Sequence, residues 1–315
     1  MSVFTGVARP VILAAGRSHR LRHTIERIPV TDAVVHRFVP GEQLTDALDS
    51  VVLLSNSQRF VTIDYLGEDV VDTDTADLTV SAYLGLLDAL GPQSDGTPRA
   101  LEVSLKLSAL GQKLPRDGEK IALENAHLIC SKARDLGIWV TVDAEDHTTT
   151  DSTLSIVRAL RSDFEWLGTV LQAYLKRTLG DCRDLAGSRI RLCKGAYDEP
   201  AAVALRDRRQ VSENYLRCLR VLMAGRGYPM VASHDPEIIA AVPAMVGEFG
   251  RSTDEFEYQM LYGIRDDEQR RLAAAGSHVR VYVPFGSQWY GYFVRRLAER
   301  PANLTFFLRA LAERR

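Results

Sequence analysis

Two hydrophobic patterns alternate along the 315-residue chain. In short runs, apolar residues dominate or alternate with polar ones, as a pleated strand requires. Between them, apolar residues return every three or four positions, which draws a stripe along a helix. The first pattern predicts strands at FVTIDYLG (60–67), LEVSLKLS (101–108), IWVTVDAE (138–145), GTVLQAYL (168–175), RIRLCKGA (189–196), MVASH (230–234), FEYQMLYG (256–263) and VRVYVP (279–284). The second predicts helices between them, for example over 75–90, 118–136, 153–161, 199–224 and 266–275. Glycines such as Gly137, Gly225, Gly227 and Gly276 punctuate the returns from helix to strand. Eight mostly apolar strands separated by helices imply an α/β fold. Parallel strands need crossovers and cover on both faces, so a closed (β/α)8 TIM barrel is expected. An open doubly wound sheet fits less well, because no GxGxxG follows the first strand. Residues 1–57 read as an N-terminal helical segment packed on the barrel, which takes 58–315. Leu304, Phe307, Leu308 and Leu311 predict a docked C-terminal helix.

Composition narrows the class. With 46% hydrophobic residues, 25% charged residues and a net charge of -2, the chain is an ordinary globular protein with no basic face to expect for nucleic acid. Cys130, Cys182, Cys193 and Cys218 have no paired spacing and read as reduced thiols of a cytoplasmic protein. His127, His147 and His234 lack ligand spacing, so no metal site is expected. The apolar start MSVFTGVARPVILAAG is too short to span a bilayer and carries Pro10. It leaves peripheral membrane contact open.

In a barrel of this kind the chemistry sits where strands end. Lys106, Asp143, Glu145, Asp146, Gln172, Arg191, Lys194, Ser233, His234, Glu257, Gln259 and Tyr282 stand in or just after strands. Each alone has a structural explanation: a cap, a rim residue, a hydrogen-bonded histidine. Together they are expensive to bury unless paired or bound to something, so they are expected to converge on one mouth. The last strand leads through Pro284 and Gly286 into a helix carrying Tyr292, Arg295, Arg296 and Glu299 three or four residues apart. Adjacent arginines suit a small carboxylate, with Lys106 beside them. Arg191, Lys194 and His234 suit a cofactor's ring and phosphates, and Lys194-Gly195-Ala196 lets backbone approach a phosphate. A cofactor-free aldolase with an imine-forming Lys106 or Lys194, and a binding module without turnover, remain alternatives.

The segments TIDYLGE, VSLKLSALG, VDAED, QAYLKR, RLCKGAYDEP, ASHD, FEYQMLYGI, VRVYVPFG and YFVRRLAERPAN occur in order from Thr62 to Asn303. In them the chain resembles the monofunctional bacterial proline dehydrogenases. The resemblance implies a distorted barrel with N-terminal helices, non-covalent FAD, and a final helix packed over the barrel mouth. It implies oxidation of L-proline to 1-pyrroline-5-carboxylate, the first step of proline degradation to glutamate, with electrons passed to a quinone at the inner face of the cytoplasmic membrane. It further implies that Lys106, Arg295 and Arg296 hold the carboxylate, that Glu299 pairs with Arg295, and that Tyr197, Leu261, Tyr282 and Tyr292 wall the ring. Asp143 and Arg191 match the catalytic positions. Ala144, Gln172, Arg191, Lys194, Gly195, Ala196, Ser233 and His234 match FAD contacts. The sequence has Cys193 where relatives carry an aliphatic residue, and Ser233 where they carry Thr. No second dehydrogenase domain is expected after Arg315, so the product passes to a separate 1-pyrroline-5-carboxylate dehydrogenase.

Overall fold

A computed structural model describes residues 35–67, 70–93, 97 and 99–299, without the side chains of 295 and 297–299. The C-terminal helix expected from the sequence, and the part of the expected N-terminal helical segment before residue 35, lie outside the described residues. Eight parallel strands close into a barrel in sequence order: β1 Phe60–Tyr65, β2 Leu101–Leu105, β3 Trp139–Val142, β4 Gly168–Gln172, β5 Arg189–Cys193, β6 Tyr228–Ala232, β7 Glu257–Leu261 and β8 Val279–Phe285. The seam is β1 on β8, with Phe60 opposite Arg280 and Tyr65 opposite Phe285. Around the barrel run α1 Leu44–Ser55, α2 Thr73–Leu90, α3 Gly118–Asp135, α4 Thr150–Arg161, α5 Thr178–Asp184, α6 Arg208–Ala224, α7 Pro236–Phe249, α8 Asp266–Ala274 and α9 Trp289–Glu299.

Local chemistry sets these bounds. Asp72, Asp207 and Asp235 accept from the backbone N–H of Thr75, Gln210 and Glu237, satisfying helix starts that have no partner inside the helix. Helix α6 therefore begins at Arg208 rather than Glu199, because 199–207 form the loop that bridges Ala204 to Leu175. Strand β4 stops at Gln172, where the Leu175 amide turns back onto its carbonyl. Strand β2 stops at Leu105, and Lys106 leads into a tight turn at Leu107–Leu110.

Alternation along the strands has an unexpected sense. Val103 and Leu105 join the apolar shell beneath the helices, whereas Glu102 and Ser104 bond to arginines from across the barrel. The polar positions thus face the lumen, and the apolar ones seat the helices. Two apolar clusters result: one mainly under α1–α4, one mainly under α5–α8. A third joins the 35–39 segment to α9: Val35, Phe38, Val39 and Leu66 pack with Trp289, Tyr290, Tyr292, Phe293 and Val294, and Tyr282 touches this group from β8. Trp289 Nε1 donates to Glu42 Oε1 at 2.8 Å, which ties α9 to the chain just before α1. Among the described residues no helix is long and apolar enough to cross a membrane.

Candidate active site

Arg191 lies in mid-β5 and faces the lumen. Its Nη1 donates to Asp143 Oδ1 at 2.7 Å and Ser104 Oγ at 2.9 Å, and its Nη2 donates to Glu102 Oε1 at 2.5 Å. Asp143 follows the end of β3, and its other oxygen accepts from the Tyr282 hydroxyl at 2.8 Å. The Arg191 guanidinium also stands 5.3 Å from the Tyr282 ring centre. Lys106 donates to both oxygens of Asp64, at 2.6 and 2.5 Å, and lies 3.9 Å from Asp143. Three predicted site residues from three strands or strand ends thus form one chain, Arg191–Asp143–Tyr282, with Lys106 alongside.

The charges hold each other in place. Burial opposes the Arg191 cation, but Glu102 and Asp143 outweigh it and leave its pKa raised. Burial, joined by the Asp143 and Asp64 charges, pushes the Tyr282 phenol well above its usual value, so it remains a donor. Burial also raises the Asp64 carboxyl, against the pull of Lys106.

Below this set the lumen carries a second ionic layer. Glu102 accepts from Thr62 Oγ1 at 2.7 Å, Thr141 Oγ1 at 2.8 Å and Arg189 Nη2 at 2.6 Å, besides Arg191. Burial works against its charge, and Arg280, Arg191 and Arg189 overcome it, holding the carboxyl below the usual range. Arg280 Nε donates to Glu257 Oε1 at 2.7 Å, and both side chains are essentially sealed from solvent. Glu257 is the first residue of β7, so it belongs to the barrel floor rather than to the mouth expected for it, and Gln259 Nε2 donates to it from one lumen position higher. Sequence reading passed over Asp64, Glu102 and Arg189. The usable signal was an ionisable residue at a lumen-facing position of an apolar strand.

Other predicted residues ring the mouth. Gln172 Nε2 donates to the Glu145 carbonyl at 3.1 Å, while its Oε1 is buried with no partner among the described residues. Gln172 stands opposite Cys193 in the strand register. Lys194 pairs with Asp235 at 2.5 Å and Ser212 at 2.8 Å. The Leu261 amide donates to His234 Nε2 at 2.9 Å, which leaves the proton of a neutral ring on Nδ1. Ser233 Oγ accepts from the Asp235 amide. Ala144, Ala196 and Tyr197 are half-buried on the loops after β3 and β5. Gly195 has φ +103°, and a Cβ there would lie 2.2 Å from the Tyr174 ring. On α9, Tyr292 is buried and Arg296 sits 5.1 Å from its ring centre. The backbone places Arg295 and Glu299 on the same helix; their side chains lie outside the described ones. No group of three or more His, Cys, Asp or Glu suited to a metal occurs among the described residues.

Comparison with known proteins is consistent with this geometry. Proline dehydrogenase 1 of Bacillus subtilis (strain 168) is 39% identical over 280 residues, covering 88% of this chain and 90% of that protein. Proline dehydrogenase of Deinococcus radiodurans is 40% identical over 282 residues, with the same coverage of each. In fold, the chain is similar to the crystal structure of proline utilization A (PutA) from Bdellovibrio bacteriovorus inactivated by N-propargylglycine, with a TM-score of 0.77 and 23% identity. That likeness covers 85% of this chain and 32% of the PutA chain. The family model described as proline dehydrogenase matches residues 47–309, a span that contains all eight strands and α9, and the chain therefore belongs to the proline dehydrogenase family.

Proposed function

We propose that the protein is an FAD-dependent enzyme that oxidises L-proline to 1-pyrroline-5-carboxylate and passes the electrons to a quinone. The observation that carries this reading is the Arg191–Asp143–Tyr282 chain at the mouth of an otherwise charge-balanced barrel, in a member of this family. The mouth fits a flavin nucleotide on its own chemistry. Gln172 Oε1 and Arg191 Nε are buried polar atoms without partners among the described residues. Gly195 turns the backbone at a strand end with a left-handed φ, packed against the Tyr174 ring where a side chain has no room. Gln172, Arg191, Lys194, Gly195, Ala196, Ser233, His234 and the backbone near Ala144 would hold the cofactor. When bound, the flavin supplies the redox chemistry by taking up the hydride equivalent lost from C5 of proline.

The chain's own residues supply position and field. Arg295, Arg296 and Lys106 would take the substrate carboxylate and so orient the ring, an effect worth several kcal/mol, about 7–11 at its limit. Lys106 acts here as a fixed charged donor, held by both oxygens of Asp64, rather than as an imine-forming nucleophile. Tyr197, Leu261, Tyr282 and Tyr292 would wall the ring, and α9 would keep water out. The ring nitrogen must be uncharged when the hydride leaves, because a protonated amine has no lone pair to stabilise the iminium. Arg191, fixed beside Asp143, presents positive charge where negative charge develops. The product is released to a separate 1-pyrroline-5-carboxylate dehydrogenase. The quinone is met at the inner face of the cytoplasmic membrane through peripheral contact.

The deciding experiment is an absorbance spectrum of the purified protein before and after anaerobic L-proline. The flavin bands should be present and should bleach. A colourless protein, or flavin bands that proline leaves unchanged, would sink the reading.

A further inference from the structure

Arg191 is anchored from below as well as from the side. Its Nη2 is held by Glu102, a residue with no exposed surface that sits one lumen position deeper on β2 than Ser104. Both Glu102 oxygens are fully engaged: Oε1 by Thr62 and Arg191, Oε2 by Thr141 and Arg189. Such a carboxylate cannot swing. Its four partners come from β1, β3 and β5, so three strands fix it. Its direct bond to Arg191 leaves Nη1 to meet Asp143 and Ser104. Among the described residues four lumen carboxylates (Asp64, Glu102, Asp143, Glu257) face four cations (Lys106, Arg189, Arg191, Arg280). Removing one carboxylate charge therefore shifts this set by one unit toward positive.

We propose that Glu102 is a positioning residue for the reaction: from beneath the site it holds the Arg191 guanidinium against Asp143 and limits the positive field at the barrel mouth. The proposal rests on the flavin-dependent reading of the site. Glu102 touches neither substrate nor cofactor and acts through Arg191. Two separable effects follow. Withdrawing the charge makes the mouth more positive, which favours the electron-rich reduced flavin. Withdrawing the reach, with the charge kept, lets Arg191 drift from Asp143 without changing the net charge.

The test is a pair of variants in the flavin-loaded protein, Glu102→Gln and Glu102→Asp, each with flavin midpoint potential, kcat and KM for proline. Glu102→Gln should move the potential to a more positive value and lower kcat about tenfold or more, with KM changed less than about threefold. Glu102→Asp should keep the wild-type potential and still lower kcat. A purely structural Glu102 predicts lower Tm with wild-type potential and kcat in both, and that result would overturn the inference. If Glu102→Gln yields no folded protein, Glu102→Asp alone decides: wild-type kcat there ends the proposal. The potentials are read with a chemical reductant. A wild-type flavin that proline does not reduce would thus overturn the functional reading, while the potential shift still tests the role of Glu102.

Discussion

Arg191 divides its charge between Glu102 and Asp143, and Asp143 divides its oxygens between Arg191 and Tyr282. Each member of the chain is fixed by its neighbours, so single-atom changes should register in catalysis. Tyr282→Phe removes one charge-assisted donor, worth about 1.5–3 kcal/mol. It should lower kcat/KM by about tenfold to a hundredfold while flavin stays bound, as steady-state kinetics on flavin-replete protein would show. Arg296→Met should act differently. Its guanidinium lies over the Tyr292 ring on α9. The variant should keep fold and flavin and raise the proline KM by about tenfold or more, the loss of one charge-assisted contact. A wild-type KM in a flavin-replete Arg296→Met protein would remove that residue from the carboxylate site. At this scale the sequence was legible where an ionisable residue followed a strand, as Lys106, Asp143 and Lys194 do. Inside the strands it was legible only in part: Arg191 and Tyr282 stood out, whereas Asp64, Glu102 and Arg189 did not. Glu102 and Arg189 find each other only through the barrel's closure, and no local pattern carries that information. Glu257, two positions before Gln259 in one strand, read as a mouth residue although strand direction puts it on the floor.

The elements were predictable in type and order, because a strand and a helix bury their apolar residues with different periods. Their ends were less so. Strand β4 and helix α6 each differ from the periodic pattern where the chain makes non-periodic bonds: the Leu175 turn onto Gln172, and the loop bridged at Ala204. The loop after β5 shows what such irregular backbone is for. Gly195 has a left-handed φ and the Tyr174 ring occupies the space of its missing side chain. Tyr174 is held in turn by its hydroxyl bond to Glu199, which also receives the His147 amide. Gly195→Ala should cost at least about 1–2 kcal/mol from the backbone alone, with the ring clash added. The expected outcome is a folded barrel with sharply reduced flavin content, measured as the ratio of flavin to protein absorbance. Full flavin occupancy would show that this loop does not hold the cofactor.

Stability of the whole molecule should depend on pH in a definite sense. Burial lowers the His278 pKa below its ordinary 6.5, against the pull of Glu257 and Asp254. The unfolded chain then binds more protons than the folded one below that value. The stabilisation is fully present above 6.5 and is lost as pH falls through the folded value. The melting temperature should drop between about pH 7.5 and pH 5.5, and His278→Asn should flatten part of that drop. An identical slope in the variant would exclude His278 as a source. Turnover should also rise from acid to mildly basic pH, since only the uncharged amine can lose hydride. Stopped-flow reduction by proline that is flat across this range would count against amine deprotonation controlling the step.

The bond between Trp289 and Glu42 spans 247 residues, and the barrel closes only when β8 meets β1. Contacts so distant in sequence carry a large loop-closure cost and form slowly. On a growing chain, Phe38 and Val39 wait for nearly the entire barrel to be synthesised before Phe293 and Val294 arrive to cover them. The packing of α9 on the 35–39 segment is therefore among the last parts of the molecule to form. A nascent barrel passes through a stage in which the ionic lumen is open to water and the patch that receives α9 is bare. That stage is the one most exposed to aggregation.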